Sequence, residues 1–222
     1  MTPALIYIAG FSIREAIVMS LLVVGATSLV GGVLSWRNGM VNPKAAIVFA
    51  SAGILGALPG AYLSARMSED FLLLMFGLVM LIVAGVMLTT KRIETAGDKH
   101  ECRIERCVFA GSGVGMLTGF LGVGGGFVIV PALIQFGDLK LKRAIGTSLW
   151  VIAASSMAGF VTHLEGQTVQ ATDLFGFLGA SICGLLLGGK LRLGIKTERL
   201  KQIFALFVFC TAVFVIVQGV LG

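Results

Sequence analysis

The sequence predicts an all-α polytopic membrane protein. It is built from two homologous helical repeats, inverted relative to each other, with a broken or re-entrant glycine-rich segment opening the second. Three observations carry this prediction: a composition too apolar for water, seven long apolar runs, and self-similarity at a fixed offset of 128 residues.

Of the 222 residues, 57% are hydrophobic and 13% charged, with a mean hydropathy of +0.99. A soluble domain carries about 25% charged residues, so the solvent implied here is the lipid bilayer. The net charge of +6 does not point to nucleic acid. Lys and Arg gather at the ends of the apolar runs, where they act as topology signals. Met1–Gly10 shows neither a basic n-region nor a cleavage site.

The apolar runs are Ala16–Leu34, Ala45–Ala65, Phe71–Thr90, Cys107–Phe136, Ala144–Thr162, Leu174–Gly189 and Ile203–Leu221, none with a charge in its interior. A bilayer core of about 30 Å takes about 20 helical residues to cross. Backbone groups in lipid must pair internally, which leaves helices or a closed barrel. Runs of this length without period-2 alternation exclude the barrel.

The repeat emerges on comparing residues 128 apart. Pro3-Ala4-Leu5-Ile6 returns as Pro131-Ala132-Leu133-Ile134, and Ser20-Leu21 as Ser148-Leu149. Val23, Ala26, Ser28, Gly56, Gly60 and Phe76 return as Val151, Ala154, Ser156, Gly184, Gly188 and Phe204. The chain therefore divides into a first repeat (residues 1–92), a linker (93–106) and a second repeat (107–222). Duplicated halves are a common plan of secondary transporters, with the site where the halves meet. The glycine-rich opening of the second repeat has no counterpart ahead of Pro3, so the expectation is an N-terminally shortened first repeat, the alternative being a seven-segment protein that forms its site differently.

That opening contains two kinds of glycine. Gly111, Gly115 and Gly119 fall at four-residue spacing, a stripe that lets helices approach closely in lipid. Gly122, Gly124, Gly125 and Gly126 crowd together instead. Each glycine costs a helix interior about 1 kcal/mol relative to Ala, so the helix breaks there. Unwound backbone at membrane depth survives only where it is buried in protein or lines a cavity. A helix restarting near Phe127 offers free N–H groups and a positive dipole end, a setting for an anion.

Hydroxyls recur beside this break. Thr147 and Ser148 lie just inside one run, with Ser155 and Ser156 two turns further in. Ser20, Thr27 and Ser28 are first-half counterparts. Such groups in lipid commonly bond a carbonyl of the preceding turn or join helices. Their occurrence twice in register, next to the break, supports a second reading as substrate contacts.

No Asp, Glu, Lys or Arg lies mid-run. Asp173 sits at a run's edge, as a helix N-terminal residue, and His100 and His163 stand apart, at the interface. The four cysteines, Cys102, Cys107, Cys183 and Cys210, show no metal-ligand spacing. No metal, cofactor, disulfide or catalytic group is expected, and a membrane enzyme is disfavoured for want of a nucleophile, base or metal cluster.

Charge sets the orientation. If Cys107–Phe136 enters and returns from one side, fifteen of the seventeen Lys and Arg residues share a face, leaving Arg14 and Arg66 opposite. A single crossing splits them seven against ten. The positive-inside rule favours re-entry, a cytoplasmic linker and inverted halves.

The run Gly-Phe-Leu-Gly-Val-Gly-Gly-Gly-Phe-Val-Ile-Val-Pro-Ala-Leu at 119–133, followed by Arg-Ala-Ile-Gly-Thr-Ser-Leu at 143–149, resembles the signature of the TauE/SafE (sulfite exporter) family. The resemblance extends over the whole chain and is stronger in the second half. It implies a multi-pass carrier in a bacterial or archaeal plasma membrane. Its implied substrates are small anions such as sulfite or organosulfonates. The chain departs from the pattern in lacking the first glycine motif, and in carrying Val18-Met19 where the second half has Gly146-Thr147. The competing reading is a non-transporting membrane scaffold or an inactive fragment. A homo-oligomer is a further expectation, since two broken segments meeting would complete a site and this chain has one.

Overall fold

A computed structural model describes residues 13–64, 66–67, 69–89, 104–121, 126–163, 171–192 and 197–221. These form eight helices and no strand: α1 (Ile13–Arg37), α2 (Pro43–Ser64), α3 (Glu69–Thr89), α4 (Ile104–Leu121), α5 (Gly126–Gln135), α6 (Leu141–His163), α7 (Ala171–Arg192) and α8 (Thr197–Leu221). The all-helical class read from the sequence is the class observed. Among the described residues, three helices are long and apolar enough to cross a bilayer, with spans at Val18–Arg37, Pro43–Ser64 and Leu141–Val161; shorter apolar stretches occupy α3, α7 and α8.

Helix starts keep the sequence offset. Ile13, Pro43 and Glu69 open α1, α2 and α3, and the residues 128 further on, Leu141, Ala171 and Thr197, open α6, α7 and α8. Packing follows the same exchange. α1 lies against α6 and α3 against α8, and α2 touches α6 as α7 touches α1.

Local chemistry explains the sharp turn between α1 and α2. Gly39 adopts a left-handed conformation (φ +66°), while the Met40 N–H donates to Ser35 O (2.9 Å) and the Gly39 N–H to Trp36 O (2.9 Å). This pair of bonds closes a helix end around a glycine. Asn42 then caps α2, its Oδ1 accepting from the Ala45 N–H (3.2 Å), with Pro43 in the first helical position. Both choices suit a helix start: the amide oxygen satisfies a free N–H, and Pro has no N–H to lose.

The most extensive helix contact joins α2 to α4. A Cβ placed on Gly56 would strike the Ser112 backbone, and one on Gly60 the backbone of Met116 and Phe120. In return, a Cβ on Gly115 or Gly119 would strike Gly53 or Ala57. The numbers rise together, so the helices run parallel with their backbones touching. This is the close approach for which the four-residue glycine stripe was read.

The thirty-residue run Cys107–Phe136, one run in the sequence, holds two helices. The second, α5, has only 10 residues, about 15 Å at 1.5 Å per residue, half of a bilayer core. Val128, Ile129, Val130, Ala132, Leu133 and Ile134 are all buried, so α5 has no outward face over these residues. It packs against α6, α4 and α3, within a buried cluster that also includes Ala45 and Phe49 of α2, Val83 and Met87 of α3, Cys107 of α4 and Ala144 of α6. A helix apolar on every side and buried on every side belongs inside a bundle.

Outer surfaces are apolar and inner ones partly polar. Phe109 is 79% exposed, whereas Thr147 is fully buried. Exposed Leu, Ile and Phe side chains on α2, α3 and α8 form the kind of apolar surface that lipid covers.

One expectation is corrected. Cys107 is disulfide-bonded and wholly buried, although the cysteine spacing suggested no disulfide. Cysteine spacing does not report that the start of α4 turns Cys107 inward. Cys183 and Cys210 are free and exposed.

Candidate functional site

The hydroxyl residues singled out in the sequence lie on the two helices that pack against their own counterparts. Along the α1–α6 contact, Leu21 faces Gly159, Gly25 faces Ser156, Gly31 faces Leu149 and Gly32 faces Trp150. One number rises as the other falls, so α1 and α6 are antiparallel. Glycine makes the approach close: a Cβ on Gly25 would sit 3.2 Å from Ser156 Cβ, and one on Gly32 3.1 Å from Trp150 Nε1. This register sets Thr27 and Ser28 level with Ala153 and Ala154, and Ser155 and Ser156 level with Gly25 and Ala26. Both hydroxyl series thus reach the middle of the seam.

Each hydroxyl has a place. Ser148 is 2% exposed, and its Oγ donates to Ile145 O (2.9 Å); Ser155 Oγ donates to Ile152 O (3.0 Å). On α1, Thr27 Oγ1 donates to Val23 O (2.6 Å). Ser28 and Ser156, register counterparts, are both 6% exposed. Ser20 is partly buried and also has an interaction partner. These bonds to the preceding turn keep the hydroxyl oxygens available as further acceptors.

Thr147 acts between helices. Its Oγ1 accepts from the Asn42 N–H (3.0 Å). Asn42 is the cap of α2, so Thr147 serves its N–H as an N3 Glu or Gln would in a capping box. Beside it, a Cβ on Gly146 would strike Met40 O. Gly146-Thr147 therefore seats the α1–α2 turn against α6. Val18-Met19, the first-half counterpart, is buried at 1% for each residue. The equivalent turn before α7 lies outside the described residues.

Gly122, Gly124 and Gly125 also lie outside the described residues. Gly126 is the first residue of α5. Two polar groups escaped the sequence reading. Trp150 Nε1 and Gln135 Oε1 are buried without a protein hydrogen-bond partner. Trp150 lies on the α1–α6 seam, edge-on to Trp36 with ring centroids 5.8 Å apart. Gln135 ends α5. A single Trp in an apolar run reads as a lipid-interface anchor, so nothing in the sequence singled out its N–H. Among the described residues, no group of His, Cys, Asp and Glu could hold a metal ion.

Residues 1–215 match the sulfite exporter TauE/SafE family. The chain belongs to that family. Its TauE/SafE relatives include a protein of Xylella fastidiosa (strain Temecula1), named "Probable membrane transporter protein", 32% identical over 97% of this chain and 85% of the relative. YunE of Bacillus subtilis is 26% identical over 93% of this chain and 82% of its own length. MJ0441 of Methanocaldococcus jannaschii is 25% identical over 84% and 71%. Both are named as membrane transporter proteins in the same terms. No solved structure matches this TauE/SafE chain. Family and relatives make it a membrane transport protein.

Proposed function

We propose that the chain carries small anions, sulfite or organosulfonates, across a bacterial or archaeal plasma membrane, with the substrate held where the two repeats meet. The observation that carries this reading is the antiparallel α1–α6 seam, which brings two register-matched hydroxyl series to mid-helix. Antiparallel counterparts are what inverted repeats produce, and carriers of that plan place substrate at the repeat interface near the midplane.

In this reading Gly122, Gly124, Gly125 and Gly126 form the break before α5, whose N-terminal N–H groups face the anion. Ser20, Ser148, Ser155 and Ser156 line the path, and the Trp150 N–H adds a donor. Thr147 fixes the turn at one end of the path and contributes the second hydroxyl of the Thr147-Ser148 pair. A re-entrant α4–α5 segment accounts for the antiparallel seam. α1 crosses one way; α2, α3 and α4 alternate; a returning α5 starts α6 opposite to α1. A single crossing would make α1 and α6 parallel.

Uptake of radiolabelled sulfite by proteoliposomes tests the path. Ser148→Ala lowers flux, while Ser51→Ala, an exposed serine bonded to its own helix, leaves it unchanged. Equal effects of the two variants would remove the seam from the transport path.

A further inference from the structure

The hydroxyls at the centre of the α1–α6 seam are of two kinds. Exchange of the halves pairs Thr27 with Ser155 and Ser28 with Ser156. The first pair is committed to its own helices: Thr27 Oγ1 donates to Val23 O (2.6 Å) and Ser155 Oγ to Ile152 O (3.0 Å). Ser28 and Ser156 differ. Each is 6% exposed, and among the described residues neither hydroxyl has a hydrogen-bond partner.

Both lie on the contact face. A Cβ on Gly25 would sit 3.2 Å from Ser156 Cβ. Ser28 comes three residues after Gly25 and four before Gly32, the α1 glycines that meet Ser156 and Trp150, and residues so spaced share one side of a helix. In the antiparallel register Ser28 is level with Ala153 and Ser156 with Gly25. The two serines are therefore three residues out of step, about 4.5 Å along the axis at 1.5 Å per residue. They flank the point about which the halves exchange. An O–H donated to an anionic oxygen spans about 2.6 Å, so across a seam this close two such bonds to one small anion cover that offset.

A buried hydroxyl without a partner weakens the fold as a lost hydrogen bond does. Here the same loss occurs at the same register in both repeats, although bonding to the preceding turn is open to each, as Thr27 and Ser155 show. Two protons are thus left for an acceptor that the described residues do not supply.

We infer that Ser28 and Ser156 are paired donors to the transported anion, one from each repeat, at the exchange centre of the seam. The inference rests on the transport reading above and adds Ser28 to it. It also separates hydroxyls that donate to the substrate from those, such as Thr27, whose proton serves their own helix. The bound anion ties α1 to α6, so its arrival is felt by both halves.

The test follows the melting midpoint of the full chain in lipid nanodiscs against the concentration of methanesulfonate, an organosulfonate that, unlike sulfite, does not cleave disulfides. The wild-type chain is expected to gain stability as the probe rises. Ser28→Ala and Ser156→Ala should each raise the half-effective concentration about thirtyfold, the loss of one hydrogen bond to a charged group. Without probe neither variant should melt below wild type, because each removes a buried hydroxyl that had no partner. Lower midpoints without probe, at an unchanged probe response, would make the hydroxyls packing groups or holders of ordered water and overturn the pairing. So would an effect in one variant alone. A wild-type response that both variants retain removes the pairing and leaves the transport reading; a wild-type chain that responds to neither methanesulfonate nor sulfite removes both.

Discussion

Replacing Thr147 by Val separates two roles that a membrane hydroxyl can play. The side chain is fully buried, and its Oγ1 accepts the Asn42 N–H at 3.0 Å. Valine keeps the shape and removes the acceptor, leaving the cap of α2 with an unpaired N–H. Such a loss costs about 1–3 kcal/mol. Taking about 2 kcal/mol, the midpoint of thermal unfolding falls by roughly 4–8 °C for a chain of this length. Local opening of the turn at residues 38–42 rises about thirtyfold, which hydrogen exchange reads at the Asn42 amide. Serine retains the hydroxyl and loses one methyl group, about 0.8 kcal/mol, and should restore protection of that amide. The reasoning is refuted if Val destabilises no more than Ser, or if exchange at Asn42 does not change. Loss of sulfite flux at unaltered stability would instead make the Thr147 hydroxyl a direct substrate contact.

Other consequences follow from the same geometry. Gly115→Leu drives a side chain into the Gly53 backbone, whose Cα lies 2.7 Å from the new Cβ. It should destabilise the protein by about 3 kcal/mol and broaden its size-exclusion profile in detergent; a wild-type profile and melting curve would contradict the parallel α2–α4 contact. Trp150→Phe keeps an aromatic side chain but deletes the pyrrole half with its buried N–H, so half-saturating sulfite should rise about fivefold for a lost hydrogen bond of about 1 kcal/mol, alongside a loss of stability from the smaller ring's weaker packing on Trp36. An unchanged concentration dependence would remove Trp150 from the site. If the 93–106 linker faces the cytoplasm, thiols there are held reduced in cells. Cys107 should then alkylate after acid quenching and denaturation of intact cells, and a Cys107 that stays bonded would put the linker on the oxidising side.

The architecture was legible where it depends on runs and repetition. Apolar runs free of charge marked the helices, because lipid leaves the backbone no other arrangement. The apolar runs beginning at Ala16, Ala45, Phe71, Ala144, Leu174 and Ile203 each fall within a helix that opens two to six residues earlier. The stripe Gly111, Gly115, Gly119 was legible as a packing surface because four-residue spacing is a local property of a helix. Thr147 was legible as a polar group inside a run, but not as the partner of Asn42. That bond spans 105 residues and depends on how α6 meets the α1–α2 turn. The burial of α5 on all sides was hidden for the same reason: apolar residues look alike whether lipid or protein surrounds them. Trp150 was missed because an orphaned N–H is a property of its surroundings. The disulfide at Cys107 depends on the chain path into α4, which cysteine spacing does not report.

The account's central claim is anion transport through the seam and the glycine break, and the most direct measurement is sulfite counterflow in proteoliposomes. Vesicles loaded with unlabelled sulfite and holding the wild-type chain should transiently accumulate labelled sulfite above protein-free vesicles. The Gly125→Leu chain, reconstituted at the same density and with the same melting curve, should not. Counterflow equal to that of protein-free vesicles, or undiminished by Gly125→Leu, would contradict the account.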